Sequence, residues 1–162
     1  MNKAIGLKPK DIIFQPIHFL SLGFGSGLSP VAPGTMGTLV AVLLYLPLAT
    51  LSFWSYVAIL LVATIIGVYL CDKTSTALGG HDHPAIVWDE FVGFWLTMLF
   101  APEGWHWIFL GFVLFRLFDI WKPWPVNLAD QKVRGGLGIM LDDVVAGAYA
   151  LLFLQLIYYY VK

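Results

Sequence analysis

The chain has 162 residues and a formal net charge of −1, and 59% of its residues are apolar while only 12% are charged. An ordinary soluble domain carries about 25% charged residues, so this composition predicts a membrane protein that folds as one domain over residues 1–162. The charge pattern contains no basic arm or stripe that would indicate nucleic-acid binding, and a single cysteine excludes an internal disulfide.

Five apolar segments follow an N-terminal segment that is predicted to form a short entry helix. They cover residues 36–51, 53–71, 87–101, 105–118 and 144–161. The second and the last are long enough to cross a bilayer alone. The other three are shorter than the roughly 20 residues that a span needs, so they could enter the bilayer partly or form a buried core. The sequence therefore predicts an all-α membrane bundle of about five apolar helices plus a short N-terminal helix.

Basic residues predict how this bundle is oriented. The N-terminal segment and the loops 72–86 and 119–143 contain Lys or Arg, whereas the linkers near 52 and 102–104 contain neither. By the positive-inside rule, the N-terminus and the two long loops then face the cytoplasm, and Lys162 is a weak exception.

A glycine-rich segment, residues 23–38, precedes the first apolar helix. Its sequence GFGSGLSPVAPGTMGT predicts an irregular loop that leads into a helix starting near Thr35. Backbone N–H groups at a helix N-terminus favour an anion, so Ser29, Thr35 and Thr38 are candidate phosphate contacts. The alternative is a packed loop in which Thr35 caps the helix.

Acidic residues are scarce, yet five of the ten lie at the predicted ends of apolar segments: Asp89, Glu90, Asp119, Asp142 and Asp143. In the first turn of a helix, such acids could simply interact with the helix dipole. Adjacent acids repel each other, however, and a hard cation with oxygen ligands, such as Mg²⁺, would relieve that repulsion. His81 and His83 flank Asp82, but their spacing fits no closed zinc site.

Two further segments surround these acids. Arg116, Asp119 and Lys122 recur every three residues and would share one helix face, where they could form an ion-pair ladder or grip a phosphate. Gly135, Gly136 and Gly138 predict a flexible turn, after which the Asp142–Asp143 pair would open the last helix.

Four motifs together resemble the phosphatidylglycerophosphatase A family: GSGLSPVAPGTMGT (25–38), IVWDEFVGFW (86–95), FRLFDIWKPWP (115–125) and GGLGIMLDDVVAG (135–147). The resemblance implies an all-helical, Mg²⁺-dependent phosphatase of the bacterial inner membrane that converts phosphatidylglycerophosphate to phosphatidylglycerol. A soluble branch of the superfamily shares the bundle, so membrane residence is predicted from composition. The family's acidic and basic motif positions are occupied by Asp89, Glu90, Asp119, Lys122, Asp142 and Asp143.

The leading hypothesis is hydrolysis of a lipid phosphate on the cytoplasmic face. The five acids would hold Mg²⁺, while Lys122, Arg116 and the 25–38 loop would hold the phosphate, and water would attack phosphorus. An aspartyl-phosphate intermediate is the alternative route. A cation channel or transporter is the rival class, although no acid is predicted in the middle of a span.

Overall fold

The computed structural model describes residues 8–79, 83–122, 124 and 135–162. Every regular element among these residues is a helix, which confirms the all-α prediction. Two short helices, α1 (Pro9–Ile12) and α2 (Pro16–Ser21), lead into a 3-10 segment at Gly23–Leu28. The longer helices are α3 (Pro33–Leu48), α4 (Phe53–Leu78), α5 (Trp88–Thr97), α6 (Trp105–Trp121) and α7 (Gly135–Val161).

Each of the five predicted apolar segments contains a helix, but two helix boundaries differ from the predictions in ways that affect the site. Helix α3 begins at Pro33, and Ala32, in a left-handed conformation with φ of 46°, stands at its N-cap. The helix therefore starts two residues before the predicted start near Thr35, so Pro33 and Gly34 are helical, and Thr35 is not the cap. Proline suits this position because the first helical N–H needs no partner within the helix.

The second difference is at α7, which starts at Gly135 instead of near 144, so the predicted glycine turn is helical. Close packing explains Gly136. A Cβ atom at Gly136 would lie 2.6 Å from the backbone nitrogen of Asp72 and would collide with the carbonyl oxygen of Val68. Asp72 Oδ1 also accepts a hydrogen bond from the Gly136 N–H at 3.2 Å. The N-terminus of α7 is thus held against the C-terminal end of α4.

Helix α7 packs against α4, α5 and α6, and α5 also packs against α3 and α4. Hydrogen bonds fix α5 within this bundle. Trp95 Nε1 donates to the carbonyl of Ala41 in α3 at 3.0 Å, and the Tyr56 hydroxyl of α4 donates to the carbonyl of Trp95 at 2.7 Å. Phe91 and Phe94 of α5 are fully buried in the core. These contacts set the position of the α5 N-terminus, where two of the predicted acids lie.

Helices α4 and α7 are each long and apolar enough to cross a membrane. In the most apolar stretch of α4 only 22% of the residues are buried. Side chains such as Leu61 and Ile65 are 58% and 71% exposed. An apolar surface of this kind suits contact with lipid better than contact with water. The number of helices that enter a membrane, predicted as about five, stays a prediction, as does the single domain.

Candidate active site

A pocket of about 250 Å³ lies where the N-termini of α3 and α5, the C-terminus of α6 and the first turns of α7 meet. We call it the carboxylate pocket. The other described residues of its wall are Ala32, Pro33, Gly34, Pro84 and Ile86. All seven charged residues predicted from the sequence line it: Asp89, Glu90, Arg116, Asp119, Lys122, Asp142 and Asp143.

Four of the five acids are deeply buried, with exposed fractions of 8% for Asp89 and Glu90, 6% for Asp142 and 3% for Asp143. Carboxylates are almost never buried to this extent unless they are paired or bind a metal. Asp89 and Glu90 lie in the first turn of α5, where the helix dipole favours them. Asp142 and Asp143 are the eighth and ninth residues of α7, beyond the first turn in which that effect acts.

Two basic side chains lie among the acids. Arg116 Nη1 is 2.5 Å from Asp119 Oδ2, one turn further along α6, and 3.8 Å from Glu90 Oε1 of α5. Lys122 forms an ion pair with Asp142 of α7. A left-handed backbone conformation at Lys122, with φ of 46°, ends α6 at this point. Of the predicted i,i+3 ladder, the Arg116–Asp119 ion pair is formed, and both residues line the pocket with side chains that are 14% exposed.

The carboxylate pocket is strongly acidic. Its described lining includes five carboxylates and two cations, so it would carry three excess negative charges if all were ionised. Burial raises the pKa of Glu90 well above its ordinary value. The Asp143 carboxylate raises this pKa further, and Arg116 acts in the opposite direction. A cation in the pocket would relieve this repulsion.

The donor set fits a hard divalent cation. Asp89, Glu90 and Asp143 each offer an oxygen atom, and these atoms lie within 4.8 Å of one another. Asp119, Asp142 and Asp143 form a second such group that shares Asp143. Glu90 Oε2 and Asp143 Oδ2 are buried and accept no hydrogen bond from the described part of the chain. Each group thus offers three oxygen ligands of the kind that Mg²⁺ selects.

The three predicted hydroxyl contacts do not line the carboxylate pocket. Thr38 is fully buried, and its Oγ1 donates to the carbonyl of Gly34 at 2.9 Å. Thr35 lies in the first turn of α3 but is absent from the pocket wall. Ser29 lines a neighbouring pocket, where its Oγ donates to the carbonyl of Val31 at 2.8 Å. From this segment, only residues 32–34 reach the carboxylate pocket.

Gly34 is a site residue that the sequence analysis did not single out. A Cβ atom there would collide with Glu90 Oε1 and would lie 3.1 and 3.2 Å from Arg116 Nη1 and Nη2. The absent side chain therefore leaves room for this acid and this base. A Pro-Gly pair at a predicted helix start was the available signal, but the sequence does not show what the glycine would face.

No histidine is among the described residues that line the carboxylate pocket. His81 and Asp82 lie outside the residues that the structure describes. His83 lines the neighbouring pocket, and its Nδ1 accepts a hydrogen bond from the Ala85 N–H at 3.1 Å.

Comparisons with known proteins agree with the motif positions. The family model for phosphatidylglycerophosphatase A matches residues 19–158, which include every charged residue of the pocket. The chain belongs to this family. A phosphatidylglycerophosphatase A of Escherichia coli is 49% identical over 82% of this chain and 78% of the relative. One of Haemophilus influenzae is 43% identical over 93% of this chain and 94% of the relative.

A third relative, from Bacteroides thetaiotaomicron, is provisionally named a phosphatidylinositol-3-phosphatase. It is 38% identical over 85% of this chain and 89% of its own length. No solved structure matches the chain.

Proposed function

We propose that the chain is a Mg²⁺-dependent phosphatidylglycerophosphatase, which hydrolyses the phosphomonoester of phosphatidylglycerophosphate to give phosphatidylglycerol and inorganic phosphate. The observation that carries this proposal is the convergence of seven charged residues from two helix ends and α7 in one pocket. Family membership supports the substrate, because two relatives above 40% identity are named for this activity.

The five carboxylates are proposed to hold Mg²⁺, which would neutralise phosphate charge and polarise the P–O bond. Arg116 and Lys122 would contact phosphate oxygens, since both cationic groups line the pocket. Asp119 holds the Arg116 guanidinium by its ion pair, and Asp142 holds the Lys122 ammonium in the same way. The N-terminus of α3 adds a favourable dipole for an anion at residues 33–34.

Water is proposed to attack phosphorus directly. No Ser, Thr, Cys or His is among the described residues that line the pocket, so the alternative nucleophile there is a carboxylate. The water oxygen would bond to phosphorus, the bond from phosphorus to the glycerol oxygen would break, and the glycerol oxygen would gain a proton. A buried carboxylate near the water would accept the proton that water loses. Acid-quenched single turnovers with labelled substrate should yield no phosphorylated protein. Isolation of a phosphoaspartate would contradict this route.

The chain is proposed to be a multi-pass protein of the bacterial inner membrane with the pocket at the cytoplasmic side. The Asp72–Gly136 contact sets the C-terminal end of α4 beside the N-terminal end of α7, so Lys73 and Lys122 lie at the pocket end of the bundle. Basic residues at that end predict a cytoplasmic location. Topology reporters fused at the N-terminus and inserted at 102–104 should report opposite sides of the membrane.

Phosphate release from phosphatidylglycerophosphate, measured on the detergent-purified protein with Mg²⁺ or with a chelator, tests the activity. Release should require Mg²⁺, and Asp89→Asn and Asp142→Asn should abolish it. Glu103→Gln is the matched control, because Glu103 is exposed in the loop between α5 and α6, away from the pocket. No release from well-folded wild-type protein, with or without metal, would reject the phosphatase.

A further inference from the structure

A second pocket, of about 390 Å³, adjoins the carboxylate pocket, and Pro33 and Pro84 line both. We call it the lysine pocket. Lys8 and Lys10 line it together with Ser29 and His83, and the rest of its described wall is apolar or glycine. No acid is among the described residues that line it. Two neighbouring pockets thus differ sharply in charge, one strongly acidic and the other basic.

Packing holds the lysine pocket in place. Ile12, which is 1% exposed, clusters with the buried Leu22 and Ala85, so α1 rests on the loop that forms the opposite wall. Gly27 lies directly against the backbone of Ala85, because a Cβ atom there would be 3.3 Å from the Ala85 Cα and closer to its carbonyl. The two lysines therefore stand on a segment fixed to the same loop that borders the carboxylate pocket.

Lys8, Lys10 and His83 can supply hydrogen-bond donors at this pocket, whereas the Ser29 hydroxyl already donates to the Val31 carbonyl. His83 Nδ1 accepts the Ala85 N–H, so the proton of a neutral His83 ring lies on Nε2, which is then a donor. Lys8 and Lys10 are exposed ammonium groups with three donor hydrogens each. These donors favour an anion, and no carboxylate that would attract a metal ion is among the described residues of the lining.

The proposed substrate carries two phosphate groups, a terminal phosphomonoester and a phosphodiester that joins the glycerol headgroup to diacylglycerol. If the phosphomonoester occupies the carboxylate pocket, the phosphodiester must lie close by, because only a three-carbon unit separates them. We propose that the lysine pocket binds this phosphodiester, so that Lys8 and Lys10 determine specificity for lipids with a second, bridging phosphate. This inference rests on the proposed function.

The surroundings of the lysine pocket suit a lipid that continues away from it. Leu28 lines the pocket and is 38% exposed, while Phe24 in the same 3-10 segment is 44% exposed and Phe14 beside α1 is 93% exposed. Apolar side chains next to lysines are typical of segments that lie at a membrane surface. The diacylglycerol part would leave the pocket on this side, toward the bilayer.

The double variant Lys8→Gln/Lys10→Gln, assayed in micelles of neutral detergent, tests the proposal. We expect the KM for phosphatidylglycerophosphate to rise about tenfold or more with kcat little changed, since charge-assisted contacts to the non-reacting phosphate are lost. Lys73→Gln is the matched control, because it removes an exposed lysine at the same end of the bundle but outside both pockets. It should behave as wild type.

Two soluble inhibitors separate the subsites. Glycerophosphoglycerol carries only a phosphodiester, whereas inorganic phosphate mimics the released group. The double variant should lose inhibition by glycerophosphoglycerol about tenfold and keep inhibition by phosphate. If the double variant weakened inhibition by both compounds equally, the lysines would attract anions in general, and the proposal would be overturned. Unchanged kinetics of the double variant would also overturn it, and so would a wild-type enzyme that glycerophosphoglycerol does not inhibit. A wild type without phosphatase activity would instead reject the proposed function itself.

Discussion

Substitution of Gly34 by alanine tests whether the carboxylate pocket is the reaction site, because it adds one methyl group where the structure has no space. The new Cβ would collide with Glu90 Oε1 and approach both terminal nitrogens of Arg116, at 3.1 and 3.2 Å. Arg116 would have to move by a few tenths of an ångström, and the Glu90 carboxylate by more. Displacement of reacting groups by about 1 Å costs on the order of 100-fold in rate, so kcat should fall between about 10-fold and 100-fold.

The fold itself should tolerate this change. Gly34 is the second residue of α3 and adopts a conformation that alanine also adopts, and alanine is favoured over glycine within helices by about 1 kcal/mol. The assay is Mg²⁺-dependent phosphate release, with thermal unfolding measured on the same samples. Met36→Ala is the control, since Met36 lies in the same helical turn but not in the pocket wall. A folded Gly34→Ala protein with activity within twofold of wild type would refute this reasoning.

Three further outcomes are expected. Asp143 belongs to both groups of oxygen donors, so Asp143→Asn should weaken Mn²⁺ binding by at least about 100-fold. Electron paramagnetic resonance measures this binding, and unchanged binding would contradict the proposed metal site. Gly136→Ala would place a methyl group against the Val68 carbonyl oxygen and should lower the free energy of unfolding by about 1–3 kcal/mol. An unchanged melting temperature would argue against this contact between α4 and α7. The His18 Nδ1 is 2.9 Å from Thr74 Oγ1, and burial lowers the pKa of this histidine. Below about pH 6.5 the unfolded chain therefore binds a proton at His18 more readily than the folded protein does. Stability should be greatest above that pH and decline as the pH falls below it. His18→Gln should flatten that decline in melting temperature, and an equal decline in both proteins would exclude this histidine as its source.

The charged residues of the pocket could be predicted from the sequence because acids are rare in so apolar a chain. Asp119 and Asp143 stood out against their neighbours without any knowledge of the fold. The sequence could not show in the same way whether the hydroxyl groups of Ser29, Thr35 and Thr38 contact a phosphate. The Thr38 hydroxyl donates to the carbonyl of Gly34 in the same helix, and this hydrogen bond forms because α3 starts as early as Pro33.

Tertiary packing explains the other difference between prediction and structure. Residues 135–138 contain three glycines, and glycine is among the poorest helix formers, so a turn was the expected local structure. Their contact with α4 outweighs that preference, because a helix with side chains there could not approach Asp72 closely. Sequence patterns report local preference, whereas the approach of two helices 64 residues apart, as between Asp72 and Gly136, requires the fold.

These glycines also connect the fold to the site. By extending α7 toward its N-terminus, they place Asp142 and Asp143 in the interior of a helix and not at its first turn, where the helix dipole would have stabilised them. Burial of such acids disfavours their charged forms, and each neighbouring carboxylate adds repulsion. The bundle holds them together through contacts elsewhere, chiefly the fully buried Phe91, Phe94 and Phe115. Ionised carboxylates this close would repel one another and would also repel a phosphate group. The proposed Mg²⁺, if these acids hold it, would reduce both repulsions.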